Sequence, residues 1–313
     1  MARTPLDQII EWNARRGRPR IPAEFSYHIE SLKHHWDGSS QESMEAELVI
    51  RRLVTIIEVF VRESIRELVD AGEPYSARAE KIINKMKIDY SFIMSLHGRL
   101  LSIGDIVSHT ISVNDTNQIV TNLSILMPDF SNDLKTIHER WSDDQSRWPQ
   151  KPILRNVDKT LAAIASLFQV RHIVTHEMPT EPPFNINDIA KFITQSNLLI
   201  RAIDWIIIKE LHGSVPRTQL AMNVAAGEAL SQETDRMKKL LAKVRRRGVF
   251  DKKLFNQNQQ LWKKFSDNYA SLRASGVAGG SMYPMIYDSA LTEITKERCD
   301  HLLNWCELQE GEF

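Results

Sequence analysis

Apolar residues in this chain recur every three or four positions and rarely alternate with a period of two, which confines it to helices. Val49, Leu53, Ile56, Ile57, Phe60 and Leu68 form one such stripe, with Arg51, Arg62, Glu63 and Arg66 among the polar positions between them. A-G-E-P at 71–74 ends this helix, because glycine loses backbone order and proline has no amide proton to give. Ile82, Met86, Ile93 and Leu100 continue the pattern in a second region, and Ile119, Leu123 and Leu126 mark a third, stopped by Pro128. The segment W-S-D-D-Q-S-R-W-P-Q-K-P, 141–152, reads as a loop.

A helix follows it. Asn156 suits its N-cap, Asp158 the positive end of its dipole, and Leu161, Ile164 and Phe168 a core face. E-M-P-T-E-P-P, 177–183, terminates that helix. Asn187 then caps a long helix through Ile189, Ile193, Ile200, Ile203 and Ile207, with Gly213 as its stop. A chain of 313 residues is long enough for two domains, each with its own core. The expected fold is all-α: an N-terminal arm over 1–40, a helical bundle over 41–213, and a small helical domain over 214–313. That last domain holds two or three amphipathic helices and a flexible A-S-G-V-A-G-G-S segment at 274–281.

Charge and cysteine usage narrow the function. Forty basic and forty acidic residues cancel, so any RNA contact has to come from a local patch. The apolar run 202–208 contains Asp204 and is followed by Lys209, and M-A-R-T-P-L-D-Q lacks the layout of a secretory signal. Cys299 and Cys306 provide neither a disulfide framework nor a metal-ligand spacing. The reading is a cytoplasmic protein with no membrane association, metal site or cofactor.

The chemistry sits in F-Q-V-R-H-I-V-T-H-E, 168–177, where Arg171 and His176 are separated by four residues at the end of a helix. Five residues of ideal helix turn about 500°, so the two side chains diverge by roughly 140° unless His176 lies in a frayed last turn. Met178-Pro179 favours such fraying. His172 and His176, at i and i+4, lack both the H-E-x-x-H glutamate and an obvious third ligand, which disfavours metal.

R-H-I-V-T-H resembles the R-x4-H signature of HEPN domains, with the polar His172 following the arginine. The resemblance extends over about 41–213. L-V-I-R-R-L-V-T-I-I-E-V-F-V-R-E-S-I-R-E-L is similar to the long first helix, and N-D-I-A-K-F-I-T-Q-S-N-L-L-I-R-A-I-D-W to the final helix that packs back. It implies metal-independent RNA cleavage at a composite site across a homodimer, in a toxin or an antiviral defence effector with an antitoxin or a phage-derived trigger. His176 would exchange a proton near neutral pH, Arg171 would fork onto phosphate oxygens, and His172 would orient a neighbour or the substrate.

T-Q-L-A-M-N (218–223), Asp235, Q-L-W (260–262), G-G-S (279–281) and L-T-x-x-T-x-x-R (291–298) resemble the LprI-type lysozyme-inhibitor domain over about 216–305. Val224 stands where the family's secreted members carry cysteine, which argues for a contact domain rather than a periplasmic inhibitor. Trp262, Phe265 and Tyr269, at three- and four-residue spacing, read as core. Lys243, Arg245, Arg246 and Arg247, in the densest basic run, are the candidate RNA-positioning residues, with a solvated helix end as the plainer role. R-R-G-R-P-R at 15–20 resembles an AT-hook core and is read as a flexible arm. Two alternatives to an endoribonuclease stand beside it: a non-catalytic HEPN-type binding or scaffold protein, and an inhibitor of a lytic enzyme acting through the C-terminal domain.

Overall fold

The computed structural model describes residues 5–16, 22–83, 101–177, 179–248 and 250–307. Met86, Ile93, Leu100, Met178 and most of the R-G-R-P stretch lie outside the described residues. The described helices are α1 (Pro5–Arg16), α2 (Pro22–Gly38), α3 (Ser43–Asp70), α4 (Tyr75–Ile83), α5 (Ile103–Thr110), α6 (Thr116–Leu126), α7 (Phe130–Thr136), α8 (Val157–His176), α9 (Asp188–His212), α10 (Gln219–Arg247), α11 (Lys252–Ala274) and α12 (Tyr283–Glu307). Among the described residues there is no strand, only one isolated parallel bridge between Trp141 and Val215. The protein is all-α.

The chain divides into two compact units. The N-terminal unit holds 1–140 and 146–214, and the C-terminal unit holds 141–145 and 215–313. In the first, α3 is the central helix, packed by α2, α4, α5, α6, α8 and α9. Its expected stripe is buried: Val49, Leu53, Ile57, Phe60 and Leu68 are fully covered. The polar positions differ from expectation, because a helix packed on most of its circumference has little solvent face. Glu63 is fully buried and held by Arg66 at 2.7 Å, with Arg66 also 3.5 Å from Asp105 of α5.

The stretch read as an arm contains α2, which buries Phe25, Ile29, Leu32 and Trp36 and packs on α3 and α9. Phe25 meets Phe60 edge to face at 5.2 Å between ring centroids. Helix ends follow local chemistry. The Asn156 side chain accepts the Lys159 amide at 2.8 Å, and Ser102 with Asp105 forms a reciprocal capping box on α5. Asn187 precedes α9 without capping it through its side chain; Asn185 Oδ1 instead accepts the Asn187 amide at 2.9 Å. Gly213 closes α9 at φ +72°, where a Cβ would be strained.

Among the described residues the C-terminal unit has three α-helices, with both α10 and α11 packed on α12. Leu241, Val244, Phe255, Leu302 and Cys306 form its core, with Met237, Leu240, Phe250 and Trp305 packed against them. Asp143 belongs to this unit and anchors the start of α10, accepting the Arg217 amide at 2.8 Å and the Thr218 hydroxyl at 2.6 Å. Those bonds favour its carboxylate form and lower its pKa. The segment expected to be flexible at 274–281 contains a 3-10 turn, Ser275–Val277, and Gly279 at φ +76°. Among the described residues, no helix is long and apolar enough to cross a membrane.

Candidate active site and contact surfaces

Helix α8 buries Thr160, Ala163, Ile164, Leu167, Phe168, Val170 and Val174 and packs on α3 and α9. That fixes its rotation, and with it the direction of the R-x4-H residues. The helix stays regular to its end: His176 is its last residue, and the Glu177 amide still donates to the Ile173 carbonyl at 2.9 Å. No frayed turn swings His176 round, so within one chain Arg171 and His176 keep the roughly 140° divergence of ideal helix.

Arg171 turns toward α3 and sits 3.7 Å from Glu58. Glu58 faces a second guanidinium, Arg62, which donates to the Ser108 carbonyl at 2.6 Å and the His109 carbonyl at 3.3 Å. Burial raises the Glu58 pKa in spite of both cations. Burial likewise lowers Arg62, and it lowers His109 with help from the Arg62 charge. Arg171, Glu58, Arg62 and His109 thus form a half-buried charge cluster. Only Arg171 of the four stood out in the sequence.

His172 and His176 take the other direction. Both are exposed, with ring centroids 4.9 Å apart and planes tilted by 50°, as i and i+4 on one face. The Arg51 guanidinium reaches the Val174 carbonyl at 3.5 Å, so α3 runs antiparallel beside the end of α8. One and two turns before Arg51, Leu48 is 57% exposed and Met44 is 83% exposed. The turns of α3 before Arg51 thus carry two exposed apolar side chains.

In the C-terminal unit the basic run divides. Arg245 donates to Asn256 at 3.4 Å and lies 5.7 Å from the centroid of the Phe255 ring. Arg247 caps α12 by donating to the Trp305 carbonyl at 3.2 Å and to the Cys306 carbonyl. Lys243 and Arg246 are exposed on α10. Trp262 and Tyr269 are half-buried, whereas Phe265 is 56% exposed, which corrects its reading as core. Leu254, Leu261 and Leu272 are exposed on α11 as well, at spacings that return to the same helix face. Sequence pattern alone does not reveal this stripe, because helical periodicity is equally the signature of a core face.

A cleft of about 510 Å3 lies between α10 and α11, with Leu291 and Thr295 of α12 among its lining residues. Beside it Arg298 is only 6% exposed, binds the amide oxygens of Asn258 at 2.6 Å and Gln259 at 3.1 Å, and lies 4.9 Å from the centroid of the Trp305 ring. Thr292 and Thr295 bond back to the α12 carbonyls of Asp288 and Leu291.

This unit is a small three-helix bundle with a buried arginine beside the Trp305 ring. Residues 214–302 match the family model of lysozyme inhibitor LprI, so this stretch of the chain is similar to that family. No curated protein and no solved structure matches the chain.

Proposed function

We propose that the N-terminal unit is a HEPN-type endoribonuclease, cytoplasmic and dimeric, acting as a bacterial toxin or antiviral defence effector. The observation that carries this reading is the exposed His172–His176 pair at the end of α8, with Met44 and Leu48 exposed on the neighbouring helix α3. In one chain Arg171 turns toward Glu58 while the histidines face solvent. A second copy packed on Met44 and Leu48 brings two such helix ends together, which is the composite site that the HEPN resemblance implies.

The chemistry needs only what these residues provide. One imidazole takes the proton from an RNA 2'-hydroxyl, whose oxygen attacks the adjacent phosphorus. The bond to the 5'-oxygen breaks, and that oxygen leaves with a proton from a second imidazole. The products are a 2',3'-cyclic phosphate and a 5'-hydroxyl. Arg171 forks onto the phosphate oxygens as charge builds on them.

The test incubates the full chain with total RNA and tRNA in EDTA, alongside His176→Ala and Arg171→Ala. Cleavage by the parent alone is the expected result, and undiminished cleavage by both variants overturns the reading. RNA binding without cleavage favours the non-catalytic HEPN-type scaffold.

A second reading assigns the chain's activity to its C-terminal unit, as an inhibitor of a lytic enzyme. The LprI match and the exposed stripe Leu254, Leu261, Phe265 and Leu272 favour it. Titrating the protein against lysozyme separates the two, with no inhibition expected and stoichiometric inhibition deciding for the second.

A further inference from the structure

The N-terminal unit has a concave feature at the opposite end of α8 from the histidines. A cavity of about 1160 Å3 is lined by Lys135 at the end of α7, Lys151 and Arg155 in the segment before α8, Lys159 and Thr160 in the first turn of α8, and Gln195 of α9. Four cations line it, one from α7 and three from the stretch 151–159, and no Asp or Glu lines it.

Some cations of this unit are paired with carboxylates and others are not. Elsewhere in the same unit Arg51, Arg66, Arg171, Arg201 and Lys209 each have a carboxylate partner. Among the described residues, no side chain engages the charged groups of Lys135, Lys151, Arg155 or Lys159 by an ion pair or hydrogen bond. Lys159 also stands in the first turn of a helix, where the macrodipole is positive and a cation is unfavourable. The four cations are exposed and share the cavity with no carboxylate in its lining, although Asp158 stands beside Lys159 in the same helical turn.

The remaining polar groups are donors too. The buried Thr160 hydroxyl meets Gln195 Oε1 at 2.6 Å, which occupies the amide oxygen and leaves the amide NH2 of Gln195 as its free end. The site is rich in donors and poor in acceptors, and its complement is a ligand made of acceptor oxygens and negative charge. One phosphate would fill a small part of this space. A strand carrying successive phosphates matches four cations spread over two helices and the segment between them.

We propose that this cavity is an anchoring site for the phosphate backbone of single-stranded RNA. Seventeen residues separate Lys159 from His176 along α8, a distance of about 26 Å at 1.5 Å per residue. At about 3.4 Å per stacked nucleotide, a strand held in the cavity reaches the histidines after roughly eight nucleotides. The anchoring role in catalysis rests on the ribonuclease reading; the binding itself does not.

The probe is a fluorescein-labelled 20-nucleotide strand with 2'-O-methyl groups, which keeps every phosphate and removes the nucleophile, so the full-length parent cannot cleave it by the proposed route. Anisotropy is measured from 50 to 200 mM salt. The variant K135Q/K151Q/R155Q/K159Q is expected to bind at least about tenfold more weakly, with a salt slope shallower by about 0.7 for each phosphate that the protein no longer neutralises. Circular dichroism checks its fold, and the paired variants K135Q/K151Q and R155Q/K159Q, each with part of the effect, replace it if it fails to fold.

Unchanged affinity and slope in a folded variant overturn the anchor. So does a weakening that follows neutralisation of Lys243 and Arg246 instead. Competition by inorganic phosphate as effective as that by unlabelled strand, per phosphate, reduces the cavity to a small-anion site and also overturns it. A separate arm uses ordinary RNA. Parent protein that binds without cleaving removes the ribonuclease reading and leaves the anchor standing, whereas cleavage with unchanged affinity in the quadruple variant does the reverse.

Discussion

Arg171 Nη2 lies 3.7 Å from Glu58 Oε1, so the arginine of the R-x4-H motif faces a carboxylate of α3 while both histidines face solvent. The two partners are not equivalent. Arg171 keeps about a third of its side chain exposed and can turn to water if Glu58 is removed. Arg62 is also half-buried, burial disfavours its charge, and the Glu58 charge offsets that. Glu58→Ala is therefore expected to cost about 1–3 kcal/mol, by leaving the half-buried Arg62 without its counter-charge. Arg171→Ala should cost no more than about 1 kcal/mol. Urea denaturation of the two variants checks the order. The reverse order would mean that Arg171 is a structural residue and an unsuitable probe of catalysis.

The exposed apolar side chains of α3 make a separate prediction. Met44 and Leu48 are exposed and make little contribution to the core, so charging them should leave monomer stability within about 0.5 kcal/mol. If two copies meet there, M44E/L48E halves the mass seen by light scattering and removes cleavage, with Arg171, His172 and His176 untouched. A dimer that survives the double substitution places its interface elsewhere.

His109 provides a pH dependence with a definite sign. Burial, and then the Arg62 charge, push its pKa below the ordinary value of 6.5. The neutral ring is the form that the fold accepts, so the group's contribution is present above pH 6.5 and is lost as pH falls through the lower folded value. Glu58, with a raised pKa, acts in the opposite sense: its contribution is complete below 4.5 and is lost as pH rises through the folded value. Melting His109→Asn beside the parent from pH 7.5 to 5.5 isolates the histidine. The variant should gain stability relative to the parent as the solution is acidified, and a constant difference would exclude the mechanism.

Several helices and two of their ends were legible because period and capping chemistry are local, whereas the expected Asn187 cap is not made. Val49 to Leu68, the Asn156 cap and the Gly213 stop all follow from a few neighbouring residues. What depends on distant partners was not. Phe25, Ile29, Leu32 and Trp36 have helical spacing, but the basic R-R-G-R-P-R before them drew the segment toward an arm, and only the surfaces of α3 and α9 explain their burial. Phe265 has a core-like spacing and yet lies on the outer face of α11, because period identifies a stripe without saying whether anything covers it. At the candidate site the R-x4-H residues could be picked out, whereas Glu58, Arg62 and His109 could not. They join Arg171 only through the packing of α3, α5 and α8.

The approach of α5 to α3 gives one more test, in which a single kind of substitution should act in opposite directions. The Gly104 amide donates to Asp70 Oδ1 at 2.9 Å, and the Ser102 hydroxyl donates to Asp70 Oδ2 at 2.7 Å, so the end of α3 caps the start of α5. A Cβ on Gly104 would stand 2.5 Å from the Arg66 carbonyl oxygen and 2.6 Å from Asp70 Oδ1. One of those atoms is backbone and cannot rotate aside, so α5 must move and strain the Asp70 cap. Gly104→Ala is expected to destabilise the unit by about 1–3 kcal/mol, despite the better helix propensity of alanine. Gly38, at the end of α2, has nothing within 4 Å of a Cβ, and Gly38→Ala should be neutral or stabilising by up to about 1 kcal/mol through the unfolded chain. Chemical denaturation of both variants reads the contrast directly. Equal effects at the two sites would show that α5 does not approach α3 this closely, and with it the position of Arg62 against the Ser108 and His109 carbonyls of α5 would have to be revised.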